Sequence, residues 1–506
     1  MSTMVSPNVS DQHIHNTEPA TGKPMPAVAV ASAEQVREVV TRARTAQVRW
    51  ARLGWAERKK RLLRFRDLLN QRADEVVELI SRETGKPRFE ALAHEVAPMV
   101  DLTHYYATRA EKILADERMW LHLLGPVKRA YVRYVPRGVV GVIAPWNFPF
   151  TIPMGDVIMA VAAGNGVVVK PSEWTPHTML KAKELMDAAD VDPDLFGVVP
   201  GDGATGAALV ESAVDMIIFT GSVATGRKVG AACGQRLIPY IAELGGKDAA
   251  IVLDDVDPAR VAEQLVHGAF CNSGQACASF ERVLIDQKVH DQVLDRIVAL
   301  TRELRQGDPA SREVDIGAMV LDSQMDVVER HIQDAVQKGA KVLAGGKRES
   351  GRGRFFQPTV IADVDDTMLC WQEETFGPTM PVRSFTTVDQ AVAMANASDY
   401  GLNGFVFAGD VTRGEYVARQ LQAGGVVVND FFFHHGVPEA PWGGVKHSGV
   451  GRVHGKHGLR ELCQQQFVGL PRVALKPFWL FPYTEGNYRM FNRIRRVLSS
   501  KMSRFV

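Results

Sequence analysis

Cysteine is scarce in this chain: five residues (Cys233, Cys271, Cys277, Cys370 and Cys463) among 506. That excludes a disulfide scaffold and suits a reducing compartment, where a thiol can be catalytic. No apolar run reaches the roughly 18 residues that a spanning helix needs. The polar start MSTMVSPNVSDQHIHNTEP lacks the basic-then-apolar order of a secretion leader, so a cytoplasmic location is expected. Formal net charge is only +1, and without a basic excess no nucleic-acid partner is expected. Internal repeats and low-complexity tracts are missing as well. The length exceeds one small core, and the 46% hydrophobic and 23% charged fractions are ordinary for a soluble globular protein.

What is present alternates. Residues 1–17 read as a loose arm. Ala33 to Arg82 follows a helical period, Gly85-Lys86-Pro87 breaks it, and a second helical stretch runs to about Leu114. Then apolar, β-branched strands (Gly138–Ala144, Val167–Lys170, Phe196–Val199, Met216–Phe219) alternate with helices at Val157–Ala163, Met179–Ala188, Thr205–Val210 and Thr225–Cys233. After Gly245-Gly246 the alternation restarts. Strands are expected at Ala249–Leu253, Val283–Ile285, Val342–Leu343, Phe405–Phe407 and Val426–Val428, and helices near 289–305 and 322–338. Short buried strands between helices imply mostly parallel sheets covered on both faces, with functional loops at the strand C-terminal edge. The fold class expected is therefore α/β, with two parallel-sheet domains meeting near Gly245. Leu121–Val135 alternates like a hairpin, either an ordinary surface hairpin or a bridging arm.

Several residues could carry chemistry. Cys277, in FCNSGQACAS, has small neighbours and a polar loop before it, so its thiolate could attack a carbonyl carbon. A lone cysteine is more often an inert buried hydrophobe, and Cys271 is read that way, in the preceding helix. Glu243, in AELGGK, could be a general base if partly buried, or simply an ion-pair partner of Lys247. Asn147, in PWNFP after a strand, could donate to an oxyanion or be an ordinary turn residue. Lys170 and Glu173, in KPSE, could bond ribose hydroxyls. GSVATG at 221–226 follows a strand and opens a helix, which suits a phosphate, though such turns also serve as plain connections. GDGATG at 201–206 matches the dinucleotide fingerprint but lacks the acid about 20 residues later, so it reads as a loop near a cofactor. HHG at 434–436 and HGKH at 454–457 lack carboxylate or cysteine partners, and no metal is expected there.

Together, PWNFP, KPSE, FTGS at 219–222, ELGGK at 243–247, the NxGQxC pattern at 272–277, EETFGP at 373–378 and PWGGVKHSGVGR at 441–452 resemble the aldehyde dehydrogenase superfamily, in the same order and over about residues 18–470. The resemblance implies Cys277 as nucleophile, Glu243 as hydrolytic base and Asn147 as oxyanion donor. It implies Trp146, Lys170, Glu173, Gly203, Gly221, Ser222, Gly226, Glu374 and Phe376 as cofactor positions, with NAD favoured over NADP. It also implies a cofactor-binding domain (18–120 and 136–244), a catalytic domain (245–449) and an oligomerisation arm and flap (121–135 with 450–470) of a homodimer or homotetramer. The loop DFFFHHGVPEAPW falls where the family lines its substrate tunnel. Phe148, Phe432, Phe433 and Trp442 are therefore expected to contact a fatty or aromatic aldehyde, with a succinate-semialdehyde-type substrate as the alternative. An acylating, coenzyme A-dependent enzyme is disfavoured because Glu243 is present, and an inactive scaffold because Cys277, Glu243 and Asn147 are all retained. Val453 and Gln464 stand where many members carry Glu, in a region read as supporting subunit contacts. The tail 471–506 lies outside the resemblance. Met490, Phe491, Ile494, Val497, Leu498, Met502 and Phe505 alternate helically with Arg489, Arg493, Arg495, Arg496, Lys501 and Arg504. Such a basic amphipathic helix either packs on protein or makes a peripheral contact with an anionic membrane.

Overall fold

The computed structural model describes residues 8–10, 12–351, 353–474 and 480–499. Two compact units divide the chain: Met1–Ile113 with Pro136–Leu462, and Leu114–Val135 with Cys463–Val506. Among the described residues no helix is long and apolar enough to cross a membrane.

The larger unit is α/β. Its first sheet runs Gly449–Val450, Tyr240–Glu243, Met216–Thr220, Val139–Ile143, Gly166–Lys170, Phe196–Val198. All pairs are parallel except the antiparallel Gly449–Val450 edge. The expected strands fall in register here, and VVGVI and GVVVK are buried at every position, as strands covered on both faces must be. The second sheet runs Lys341–Ala344, Thr359–Ala362, Thr379–Phe385, Arg282–Asp286, Ala249–Val252, Asn403–Phe407, Gly425–Val428. Only its first pair is antiparallel.

Local chemistry corrects several sequence expectations. The helical stretch from Ala33 to Arg82 is three helices: Ala33–Ala51, Trp55–Gln71 and Ala73–Thr84. The first is started by a capping box between Ser32 and Gln35. The described part of the N-terminal arm is not loose: His13–His15 pairs with Asn8–Ser10 and with Val28–Ala29, Ile14 is buried, and the Asn16 amide donates to the Glu173 and Trp174 carbonyls. Thr359–Ala362 and Thr379–Phe385 were not anticipated as strands, because Gly and Pro punctuate the sequence between them. In the smaller unit, the hairpin expected at Leu121–Val135 has its first strand earlier, at Glu117–Met119. That strand is antiparallel to Lys128–Pro136, and Cys463–Pro471 completes a three-stranded sheet. The tail helix spans Glu485–Ser499 and buries none of its described residues; Lys501, Met502, Arg504 and Phe505 lie outside the described residues.

Two buried ion pairs hold the loops at the strand ends. Lys86 follows the C-cap Gly85 and donates to Glu95 Oε1 (2.5 Å) and to the Asn147 carbonyl (2.8 Å). The second oxygen of Glu95 accepts the Phe150 and Thr151 N–H groups, fixing the start of helix Thr151–Ala163. Lys247 donates to Glu281 Oε2 (2.5 Å), and Glu281 also accepts the N–H groups of Thr375 and Phe376. Lys86, Glu95 and Lys247 have no exposed side-chain surface. Replacing Lys86 with Met should cost about 3–5 kcal/mol, since Glu95 is left buried without its cation. Chemical denaturation of Lys86→Met and of the double variant Lys86→Met/Glu95→Gln checks this. The double variant should recover part of the loss, and an unchanged midpoint for the single variant would contradict the assignment.

Candidate active site

The site forms where the two sheets' loops meet at Gly245-Gly246. A side chain on Gly245 would lie 2.3 Å from Glu374 Oε2, and one on Gly246 would lie 2.5 Å from the Cys277 carbonyl oxygen. Only glycine permits this approach. The Gly246 N–H then donates to Glu374 Oε1 (2.9 Å). Strand Tyr240–Glu243 ends at Glu243, whose carbonyl accepts the Gly221 N–H (3.0 Å). Thus ELGGK, FTGS, EETFGP and NxGQxC converge on one chamber of about 340 Å3. Its lining includes Trp146, Asn147, Gly221, Ser222, Glu243, Cys277, Glu374, Phe376 and Trp442.

Cys277 follows a tight turn after helix Pro258–Phe270, in which Asn272 and Ser273 take left-handed backbone angles. Cys271 caps that helix. Cys277 itself is half-buried. Burial pushes its thiol well above the usual range, and the nearby carboxyls of Asp248, Glu374 and Glu243 push the same way. The thiol is therefore protonated at rest and must lose that proton to attack. Glu243 lines the same chamber and is buried, which raises its carboxyl well above the usual range. The Asp156 carboxyl adds to that rise, against the opposing Arg452 and Trp442. Neither Glu243 oxygen accepts a hydrogen bond from the described residues. Lys247, offered by the sequence as its partner, pairs with Glu281 instead. A buried carboxyl with raised affinity for protons, in the same chamber as the thiol, is suited to act as a general base toward water.

Asn147 is buried, and its carbonyl is held by Lys86 and by Asn272 Nδ2 (3.1 Å). One amide hydrogen goes to the Gln275 carbonyl (3.1 Å). The amide carries a second donor, which can serve an oxyanion in the chamber.

The cofactor positions group unevenly. Trp146 stands edge-on to Phe376, with ring centroids 5.4 Å apart. Gly221 and Ser222 lie at the N-terminus of helix Val223–Arg236, where Ser222 accepts the Thr225 N–H. Lys170 and Glu173 form an ion pair (3.0 Å) and are not among the chamber's lining residues. Gly226 is inside its helix, packed on Leu244. Gly203 opens helix Gly203–Glu211, two residues before the expected start at Thr205, so only the first part of GDGATG is loop, and Asp202 takes the Ala204 N–H of that helix for itself. A helix N-terminus, an ion pair that can meet sugar hydroxyls, and the Glu374 carboxylate together fit a nucleotide with anionic phosphates and diol sugars.

The aromatic positions divide too. Trp442 is buried in the chamber wall. Phe148, Phe432 and Phe433 do not line the chamber: Phe148 lies over Lys86 and 6.1 Å from Phe432, and Phe433 is half-exposed. Val453, expected near subunit contacts, instead bridges Trp442 and lines the chamber. Asp156 is a lining residue the sequence reading missed. Its signal was an acid inside the otherwise apolar helix TIPMGDVIMAVAA. His434, His435 and His454 are packed among Phe432 and Trp442, and burial drives all three imidazoles toward the neutral form.

The sequence profile of the aldehyde dehydrogenase family matches residues 6–468. A Mycolicibacterium smegmatis protein carrying the name succinate-semialdehyde dehydrogenase (NADP+) is 41% identical over 456 residues, 90% of this chain and 88% of that one. A 4,4'-diapolycopene aldehyde oxidase of a Methylomonas species is 37% identical, over 90% of this chain and 86% of that one. The crystal structure of a Mycobacterium tuberculosis aldehyde dehydrogenase complexed with NAD+ superposes with a TM-score of 0.87 at 33% identity, covering 95% of this chain and 97% of that one. The chain belongs to the aldehyde dehydrogenase family. It is accordingly an oxidoreductase acting on aldehydes with a nicotinamide cofactor.

The raised thiol has a measurable consequence. Below its pKa the thiolate fraction grows about tenfold per pH unit. Alkylation of Cys277 by iodoacetamide in the cofactor-free protein, read by peptide mapping, should therefore climb steadily from about pH 6 to about pH 9. A rate that is flat across that range would mean a thiolate already formed at rest.

Proposed function

We propose that this chain oxidises an apolar aldehyde to its carboxylic acid with NAD, through a thioester on Cys277. The observation that carries the reading is the convergence of Cys277, Glu243 and Asn147 on one chamber. The Cys277 thiol loses its proton to solvent, and the thiolate sulfur attacks the aldehyde carbon. The resulting oxyanion is held by the free Asn147 amide hydrogen and the Cys277 N–H. A bound nicotinamide would supply the acceptor for the hydride that leaves the thiohemiacetal carbon, giving the thioester on Cys277. Glu243 then draws a proton from water, the water oxygen adds to the thioester, the carbon–sulfur bond breaks and the acid leaves. Because burial raises the Glu243 carboxyl, its basic form and the deacylation rate increase as pH rises. The cofactor half is proposed to be residues 18–120 and 136–244, and the catalytic half 245–449. Acyl transfer to coenzyme A is disfavoured, since that reaction needs no hydrolytic base and Glu243 is present in the chamber.

The chamber walls favour an apolar substrate. Trp146, Ile152, Trp442 and Val453 supply apolar surface, and the acids Asp156 and Glu243 offer a second carboxylate no counter-charge. Arg330, the cation among the lining residues, already has Glu373 at 3.7 Å. Succinic semialdehyde is thus the less favoured substrate, despite the name of the Mycolicibacterium relative. With a long apolar aldehyde, Glu243→Gln should give a burst of about one NADH per site and then slow turnover, because deacylation needs the base. Wild-type enzyme should use that aldehyde with a higher kcat/KM than succinic semialdehyde. Equal loss of burst and steady state would instead give Glu243 a role in activating the thiol, and the reverse substrate order would overturn the apolar reading.

NAD is favoured over NADP because Glu173 would repel a 2′-phosphate. The ratio of kcat/KM for NAD to that for NADP should exceed one and should shrink in Glu173→Gln. Comparable use of both cofactors by the wild type would contradict this.

We also propose a cytoplasmic homodimer or homotetramer. The five free cysteines suit a reducing compartment. In the smaller unit Trp120 (73% exposed) and Phe467 (61%) offer apolar surface for another copy. A second reading concerns the helix Glu485–Ser499, which sets Arg493, Arg495 and Arg496 beside Met490, Ile494 and Leu498 and buries none of its described residues. It suits a peripheral contact with an anionic membrane, a source of apolar aldehydes. Co-sedimentation with anionic vesicles should occur at low salt for the full chain and fail for a chain ending at Pro471. If both stay in the supernatant, the helix is a packing element.

A further inference from the structure

Outside the catalytic chamber the described residues bring together His94, His267 and Cys271, whose donor atoms all lie within 4.8 Å of one another. Three features of the fold cause this. His94 sits on the π-helical turn Leu92–Val96, a widened turn of the kind often found at functional sites. His267 belongs to the last turn of helix Pro258–Phe270, and Cys271 caps that helix four residues on, so both face the same side. A buried carboxylate, Glu90, holds the Asn272 N–H (3.0 Å) and so fixes the backbone next to Cys271.

The spacing is that of a metal's ligands. Zinc bonds of about 2.0–2.1 Å to nitrogen and about 2.3 Å to sulfur, at a tetrahedral angle, put the two donors about 3.5 Å apart. Cys271 Sγ and His94 Nδ1 are 3.5 Å apart. His267 completes the triangle after a shift on the order of 1 Å, which its exposed position allows. His267 and Cys271 border an open cleft of about 540 Å3 lined also by Glu90, Glu263 and Glu303, which gives a cation a route in. Two imidazoles and a thiolate select a borderline-soft ion over magnesium or calcium, which take oxygen donors.

We propose that His94, His267 and Cys271 bind Zn2+ or a cation of similar softness, with water or the Glu90 carboxylate as fourth ligand. Binding displaces the Cys271 thiol proton to solvent. The site lies apart from the thioester chemistry but touches its supports. Asn272, next in sequence, donates to the Asn147 and Gln275 carbonyls. Phe432 stands edge-on to His94 (6.0 Å), and Phe431 edge-on to His267 (4.7 Å). An occupied site would therefore stiffen both the loop before Cys277 and the phenylalanine-rich loop.

The test uses the full chain with Cys277→Ser, which removes the one half-buried thiol, titrated with Co2+. One equivalent should bind, with a thiolate-to-cobalt band in the near ultraviolet, and Zn2+ should displace it. Adding Cys271→Ser should abolish that band. Adding His267→Gln, at an exposed position that folding tolerates, should weaken binding by at least about tenfold, since even outer-shell partners are worth that much. Absence of the thiolate band in Cys277→Ser protein, or Co2+ affinity unchanged by His267→Gln, would overturn the proposal.

Discussion

The site depends on a backbone that passes too close to its neighbours for any side chain. At Gly245-Gly246 the chain touches the Glu374 carboxylate on one side and the Cys277 carbonyl on the other. That contact brings the end of a first-sheet strand, carrying Glu243, against loops of the second sheet, carrying Cys277 and Glu374. The buried pairs Lys86–Glu95 and Lys247–Glu281 serve the same end: each spends one carboxylate on loop N–H groups and so fixes a turn that carries Asn147 or Phe376. Removing both partners of such a pair would cost little in principle, whereas removing one would leave a buried charge. Their role here is placement of loops.

The electrostatics follow from that crowding. Burial raises the proton affinity of Cys277, Glu243, Glu374, Asp248 and Asp156, and neighbouring carboxyls add to the rise at Cys277, Glu243, Glu374 and Asp248. Glu374 is pushed up to about 8 by burial and the adjoining Glu281. A cluster of this sort is costly to ionise, and any cationic charge brought by a ligand would relieve it. Cys277, Glu243 and Glu374 are thus coupled through shared desolvation, without direct hydrogen bonds between them.

Much of this was legible in sequence. Strands such as GVVGVIA and VVVK declared themselves by apolar, β-branched runs, and the order of short loop motifs, resembling that of aldehyde dehydrogenases, pointed to Cys277, Glu243, Asn147 and Glu374 as one site. What escaped were residues whose meaning depends on distant partners. Lys86 looked like part of a helix break, and Lys247 looked like a partner of Glu243 because it was near in sequence. Asp156 was hidden in an apolar helix. Val453 was read only as standing where many members carry Glu, and the pairing that turns it inward to Trp442 is a single isolated bridge. The His94, His267 and Cys271 cluster has no ligand spacing along the chain, since one of its members comes from a turn more than a hundred residues away. Phe432 and Phe433 were expected at the chamber because of loop position; Phe432 takes a left-handed backbone angle (φ 62°) and packs on His94, Phe148 and His435 instead.

The central claim is that aldehyde carbon becomes covalently joined to Cys277 sulfur and leaves only when Glu243 activates water. Intact-mass and peptide mass spectrometry of Glu243→Gln protein, quenched in acid after mixing with NAD and an apolar aldehyde, tests it most directly. The account predicts a mass increase equal to the acyl group, located on the peptide containing Cys277 and absent when NAD is left out. An unmodified Cys277, or an acyl group on any other residue, would contradict it.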